Sequence, residues 1–212
     1  MSGVAENRAG EGFDGLDWAK GDGLLPAVVQ HWRTGEVLML AYMNAEALAE
    51  TRRSGRATFF SRSRQRQWTK GETSGHFLEV KAIGVDCDRD TLLISAQPHG
   101  PTCHLGTSSC FGSGACPPLA FLAELDELIA ARATERPDGS YTASLFEAGI
   151  RRIAQKVGEE GVETALAAVV QDDAALLGEA ADLIYHLTVL LRARGKSLAD
   201  VADVLAQRHA SA

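Results

Sequence analysis

The hydrophobic pattern changes period once, at residues 112–118, and that change restricts the chain to two separately built halves. The segment GSGACPP sets flexible glycines before a stiff proline pair, which is linker chemistry. Before it, the short apolar runs 25–29 and 37–42 flank Thr34-Gly35 and predict a hairpin; 57–62, 77–85 and 92–96 predict further strands. One helix, Ala45–Ser54, is expected among them, capped by Asn44 and ended by Gly55. Beyond the break, Leu119, Leu122, Leu125, Leu128 and Ile129 recur at helical spacing, and Pro137-Asp138-Gly139 predicts a turn. Ser144 with Glu147 predicts a capping box that opens a long helix toward Val170. Asp172 or Asp173 caps the next helix, 174–192, which Gly195 ends, and Ser197 caps a last helix through His209. The expected architecture is multidomain α+β. A flexible tail (1–15) precedes a β-rich α+β domain (16–111) dominated by antiparallel sheet; the linker (112–118) leads to an all-α domain (119–212) of about four helices.

A net charge of −7 over 212 residues argues against non-specific binding to nucleic acid or to a membrane surface. The sequence presents no uninterrupted apolar run of spanning length and no signal-peptide core, so a cytoplasmic location is the default expectation. Four cysteines without a secretory signal favour thiol or metal chemistry over disulfides.

The stretch 84–111 concentrates that chemistry. Asp86, Asp88 and Asp90 stand at alternate positions with Cys87 between the first two. If the segment is extended, the three carboxylates project to one face, which suits Mg²⁺, and Cys87 projects to the other. Cys87 can then join Cys103 and Cys110 in holding Zn²⁺ with a fourth position open to water, the catalytic pattern. Buried small hydrophobes and a solvated acidic turn are the bland alternatives; Cys116, in the linker, is expected to have no role. Upstream, residues 60–76 (FSRSRQRQWTKGETSGH) combine Arg62, Arg64, Arg66 and Lys70 with Gly71, Thr73, Ser74 and Gly75, a mix suited to phosphate. A basic surface loop is the rival reading, and Trp68 either stacks on a base or fills the core.

In the second half, Glu159, Glu160 and Glu163 share one helix face, and Glu179 and Asp182 share a face of the next. Like charges at these spacings repel, so paired clusters on adjacent helices suggest a divalent cation held between them. Lys156, Arg151 and Arg152 are candidate phosphate neutralisers, whereas Tyr185 and His186 sit in an apolar run and belong to the core.

The segments ATFFSRSRQRQWTKGETSGHFL and DCDRDTLLISAQPHGPTCHLGTSSCF resemble phosphoribosyl-AMP cyclohydrolase, the third step of histidine biosynthesis, from about Leu24 to Phe111. The resemblance implies a homodimer whose zinc is shared, Cys87 from one subunit meeting Cys103 and Cys110 of the other, and Mg²⁺ at Asp86, Asp88 and Asp90. It implies attack of zinc-bound hydroxide on C6 of the adenine ring and opening of the C6–N1 bond. His104 is then the candidate general acid/base, and Arg62, Trp68, Lys70, Thr73 and Ser74 are candidate substrate contacts. The E-E-x-x-E and E-x-x-D motifs resemble the all-α MazG-type pyrophosphohydrolases. More closely, the chain from about Leu119 to Arg208 is similar to phosphoribosyl-ATP pyrophosphohydrolase, the second step of the pathway. That implies Mg²⁺-assisted release of pyrophosphate, with Glu160 catalytic, Glu159, Glu160, Glu163, Glu179 and Asp182 as ligands, and Lys156 at the phosphates. One product is the other's substrate, so a bifunctional enzyme is expected; a general nucleotide pyrophosphatase in the second half is the alternative.

Overall fold

The computed structural model describes Phe13, residues 15–112 and residues 116–210; most of the tail and the centre of the linker lie outside the described residues. The chain divides into two compact units between Ala120 and Phe121.

The first unit is built on β1 (Leu25–His31), β2 (Val37–Met43), β5 (Leu78–Val85) and β6 (Leu92–Pro98), in the order β2-β1-β6-β5. The β1–β2 and β5–β6 ladders are antiparallel, while β1 and β6 run parallel, a pairing that strand periodicity alone does not reveal. A separate hairpin joins β3 (Thr58–Ser61) to β4 (Arg66–Thr69). Alternation in β1 turns Leu25, Ala27 and Val29 into the core, where Leu92, Ile94 and Ala96 of β6 meet them. The helix α1 (Ala45–Ser54) starts where Asn44 Oδ1 accepts from the Ala47 N–H at 2.9 Å. It stops at Gly55, whose φ of 69° is left-handed. Phe13 and Gly15, assigned to the tail by sequence, are held: Phe13 packs on this core and the Gly15 carbonyl accepts from Arg89 Nε at 3.0 Å.

The second unit holds α2 (Ala120–Glu135), α3 (Tyr141–Ala148), α4 (Ile150–Val170), α5 (Asp173–Ala193) and α6 (Leu198–Ala210), one helix more than expected. The extra boundary overturns the Ser144–Glu147 capping box. Ser140 caps α3 instead, Ser144 is inside it, and Gly149 at φ 86° breaks the chain before α4. Asp172 caps α5, and Ser197 exchanges hydrogen bonds with Asp200 at the start of α6. Ile129, Leu145, Ile153 and Val189 form the core, with Asp126 and Arg192 paired through two bonds of 2.7 and 2.5 Å. By length and composition α5 does qualify as a possible membrane span, with mean hydropathy 1.4. Val189 is buried in the core with Leu190 packed against it, Glu179 and Asp182 interrupt the helix, and 17% of its apolar window is buried.

Candidate active sites

The aspartates of the first unit lie in the six-residue connection between β5 and β6, and it is a turn rather than an extended strand. Asp86 Oδ1 accepts from the backbone N–H groups of Asp90 and Thr91, both at 3.0 Å, and Arg89 takes a left-handed φ of 63°. Side-chain-to-backbone bonding of this kind competes with the ladder and closes the loop. Alternation between faces is therefore not what gathers the carboxylates. Curling brings ligand oxygens of Asp86, Asp88 and Asp90 within 4.8 Å of one another.

Lys20, in the 3-10 turn Ala19–Gly21, reaches into this cluster. Its Nζ lies 2.8 Å from Asp88 Oδ2 and also pairs with Asp90. The Lys20 hydrogen bond holds both carboxyls below their usual range, against Asp90's charge at Asp88 and with Thr91's help at Asp90; the two aspartates hold the lysine well above its own. Nothing in WAKGDG singles out Lys20; only the fold brings it here.

Cys103 and Cys110 come together in the loop after β6. Cys110 N–H donates to the Leu38 carbonyl at 2.8 Å, and the Cys103–Thr107 and Gly106–Cys103 backbone bonds, both 3.0 Å, tie the intervening turn. The Leu105 N–H, 3.5 Å from Cys103 Sγ, leads the donors that push the Cys103 thiol down. Partial burial and the neighbouring Cys103 push Cys110 up, with Lys70's charge opposing them. Among the described residues no group of three potential ligands includes Cys87, which is exposed on the aspartate turn. His104 is exposed, with Nδ1 3.9 Å from Cys103 Sγ.

The candidate phosphate contacts flank the β3–β4 hairpin. The Arg62 guanidinium lies 3.9 Å over the Tyr42 ring, Arg64 and Arg66 are exposed, and Trp68 packs on Phe59 at 5.1 Å within the core's outer shell. Lys70 Nζ donates to the His76 carbonyl at 3.3 Å, Ser74 Oγ accepts from the His76 N–H at 3.3 Å, and Thr73 is exposed. Gly71 is required in that turn, because at φ 86° an added Cβ would lie 2.5 Å from the His76 carbonyl carbon. Sequence reading passed over Glu79, which pairs with Lys81 at 2.5 Å and His99 at 3.0 Å beside an open pocket of about 490 Å³.

In the second unit, ligand oxygens of Glu160, Glu179 and Asp182 lie within 4.8 Å of one another across α4 and α5. Glu160 is buried and paired with Lys156 Nζ at 2.5 Å, which holds its carboxyl low. Glu163 is pushed the other way by desolvation and by the charges of Glu160 and Glu179. Glu159 does not join the three; it binds Gln155 at 2.8 Å and Lys156 at 3.0 Å, with Arg152 at 3.7 Å, while Arg151 is exposed. His186 is buried, as its apolar run predicted, yet its Nε2 lies 3.7 Å from Glu160 Oε1 and its Nδ1 has no partner. Burial pushes its pKa down.

Two units, each with its own cluster of metal-competent side chains, define a two-centre enzyme, and the comparisons say which. Residues 39–112 match the family model described as phosphoribosyl-AMP cyclohydrolase, and residues 122–209 match phosphoribosyl-ATP pyrophosphohydrolase. The histidine biosynthesis bifunctional protein HisIE of Xanthomonas campestris pv. campestris is 67% identical, over 95% of this chain and 96% of its own. That of Xylella fastidiosa (strain Temecula1) is 66% identical over 92% and 93%, and that of Escherichia coli K12 is 60% identical over 92% and 95%. The chain belongs to this bifunctional histidine-biosynthesis family, a hydrolase with both activities.

Proposed function

We propose that the helical unit, a MazG-like fold, removes pyrophosphate from phosphoribosyl-ATP in the second step of the pathway. The sheet unit then opens the adenine ring of the resulting phosphoribosyl-AMP in the third step, both in the cytoplasm. The donor chemistry fits two kinds of cation. The Cys103–Cys110 thiols, with Cys87 from a second copy of the chain, suit zinc; the carboxylates of Asp86, Asp88 and Asp90 and of Glu160, Glu179 and Asp182, with Glu163 beside them, suit magnesium. When bound, zinc supplies a water made nucleophilic at neutral pH, and magnesium offsets phosphate charge.

The chain's own side chains do the rest. Arg62, Lys70, Thr73 and Ser74 bind substrate phosphate from the hairpin and the turn that follows it, and Trp68 buttresses that hairpin through Phe59. His104, with Nδ1 toward Cys103, uses Nε2 to deliver a proton to N1 as the C6–N1 bond opens. In the helical unit Lys156 faces the phosphates and Glu160 takes the proton from the attacking water at the α–β link.

The observation that carries the shared centre is that Cys103 and Cys110 meet while Cys87 stays on another loop. Association is further supported by exposed apolar side chains on α4 and α5, including Leu166, Val169, Val170 and Leu177. Mixing inactive Cys87→Ala chains with inactive Cys110→Ala chains tests it. A shared centre leaves one intact site in each mixed dimer, so cyclohydrolase activity and zinc return in part. No recovery after verified subunit exchange contradicts sharing.

A further inference from the structure

Three carboxylates within 4.8 Å repel one another, and the chain offsets that repulsion with a residue 68 positions away. Lys20 is not a wandering surface side chain. Its backbone N–H donates to Asp17 Oδ1 at 3.1 Å, and the Asp17 N–H donates to the Arg89 carbonyl at 2.8 Å. Arg89 Nε returns a bond to the Gly15 carbonyl at 3.0 Å. The segment carrying the lysine is thus laced to the same turn that carries the aspartates. At its tip the ammonium takes oxygens of Asp88 and Asp90, two of the three carboxylates a magnesium ion would use. An ammonium bound to Asp88 and Asp90 and a divalent cation on the same carboxylates repel each other and compete for the same lone pairs. The Lys20 side chain is 54% exposed, so water is within reach of its ammonium.

We propose that Lys20 is a tethered counter-cation of the aspartate turn: it occupies the carboxylates when no divalent cation is there and must leave when one binds. This rests on the magnesium reading of Asp86, Asp88 and Asp90. The lysine then does two things. It offsets the self-repulsion of the carboxylates, and it lowers the turn's affinity for a divalent cation by competing for its ligands. Reciprocity follows, because whatever Lys20 takes from the cation's binding, the cation takes from the Lys20 ion pairs.

Full-length chain carrying Glu160→Gln and Asp182→Asn, which silence the helical carboxylates, allows the turn to be titrated with Mn²⁺ alone, read by electron paramagnetic resonance. Lys20→Met should bind Mn²⁺ roughly three- to tenfold more tightly than its parent, the range expected for exposed ion pairs, and Lys20→Arg should stay near the parent. Unchanged or weaker binding in Lys20→Met overturns the proposal. Asp88→Asn in the same background locates a failure: Mn²⁺ binding that survives it unchanged removes the magnesium reading itself, and the proposal with it. A second measurement needs no Lys20 variant. Saturating Mn²⁺ should raise the rate at which an amine-acylating reagent modifies Lys20, followed by mass spectrometry, because the released ammonium loses its carboxylate partners. An unchanged rate contradicts displacement.

Discussion

Glu163 and Glu160 sit one helical turn apart on α4 and are pushed in opposite directions. Lys156 holds Glu160 low, whereas desolvation and the charges of Glu160 and Glu179 raise Glu163 above the ordinary value of 4.5. A carboxyl whose folded pKa exceeds its unfolded one contributes stability below the unfolded value and loses it as pH rises through the folded one. Without divalent cation, Glu163's contribution should therefore be lost as pH climbs from about 4.5 through that raised value, while His186, held low by burial, contributes in the opposite sense toward 6.5; the difference between wild type and Glu163→Gln isolates the glutamate. Saturating Mg²⁺ should restore the wild type more than the variant. Thermal midpoints against pH, with and without Mg²⁺, check this; parallel curves for the two proteins would contradict it.

At the scale of elements, Thr51 joins α1 to β3. It is fully buried; its Oγ1 lies 2.9 Å from the Ala47 carbonyl and accepts from the Thr58 N–H at 2.9 Å. Thr51→Val keeps the volume but leaves that N–H unpaired, so it should cost about 1–3 kcal/mol in denaturant unfolding, with Thr51→Ser recovering most of the loss. A cost under about 0.5 kcal/mol would contradict the role. Elements of this kind are legible in sequence where the signal is local. Asn44 and Asp172 mark helix starts because a cap needs one side chain and a nearby backbone N–H. Local signals also mislead when two compete. Ser144 and Glu147 have capping-box spacing, but Ser140 offers a cap first and Gly149 interrupts the helix they would have opened. Alternation at Asp86–Asp90 gave way to bonds between a side chain and its own turn. Contacts fixed only by tertiary approach leave no periodic trace: the parallel β1–β6 ladder, the seat of Lys20 on Asp88, and His186 beside Glu160. Three of the five helical carboxylates were legible because their spacing on two adjacent helices is itself the geometry, whereas Glu159, turned to Lys156, and Glu163 are not in the group.

For the whole molecule, the account requires each unit to carry a complete chemistry of its own. The carboxylates of α4 and α5 lie in one compact unit, the thiol pair and the aspartate turn in the other. Full-length Cys103→Ser, supplied with phosphoribosyl-ATP and followed by chromatography of all nucleotide products, tests this most directly. The substitution removes one thiol from the pair in the first unit and leaves every helical carboxylate in the chain. Pyrophosphate and phosphoribosyl-AMP should appear at close to the wild-type rate, with phosphoribosyl-AMP accumulating and no ring-opened product. Ring-opened product formed at the wild-type rate, or loss of pyrophosphate release from a folded protein, would contradict the account.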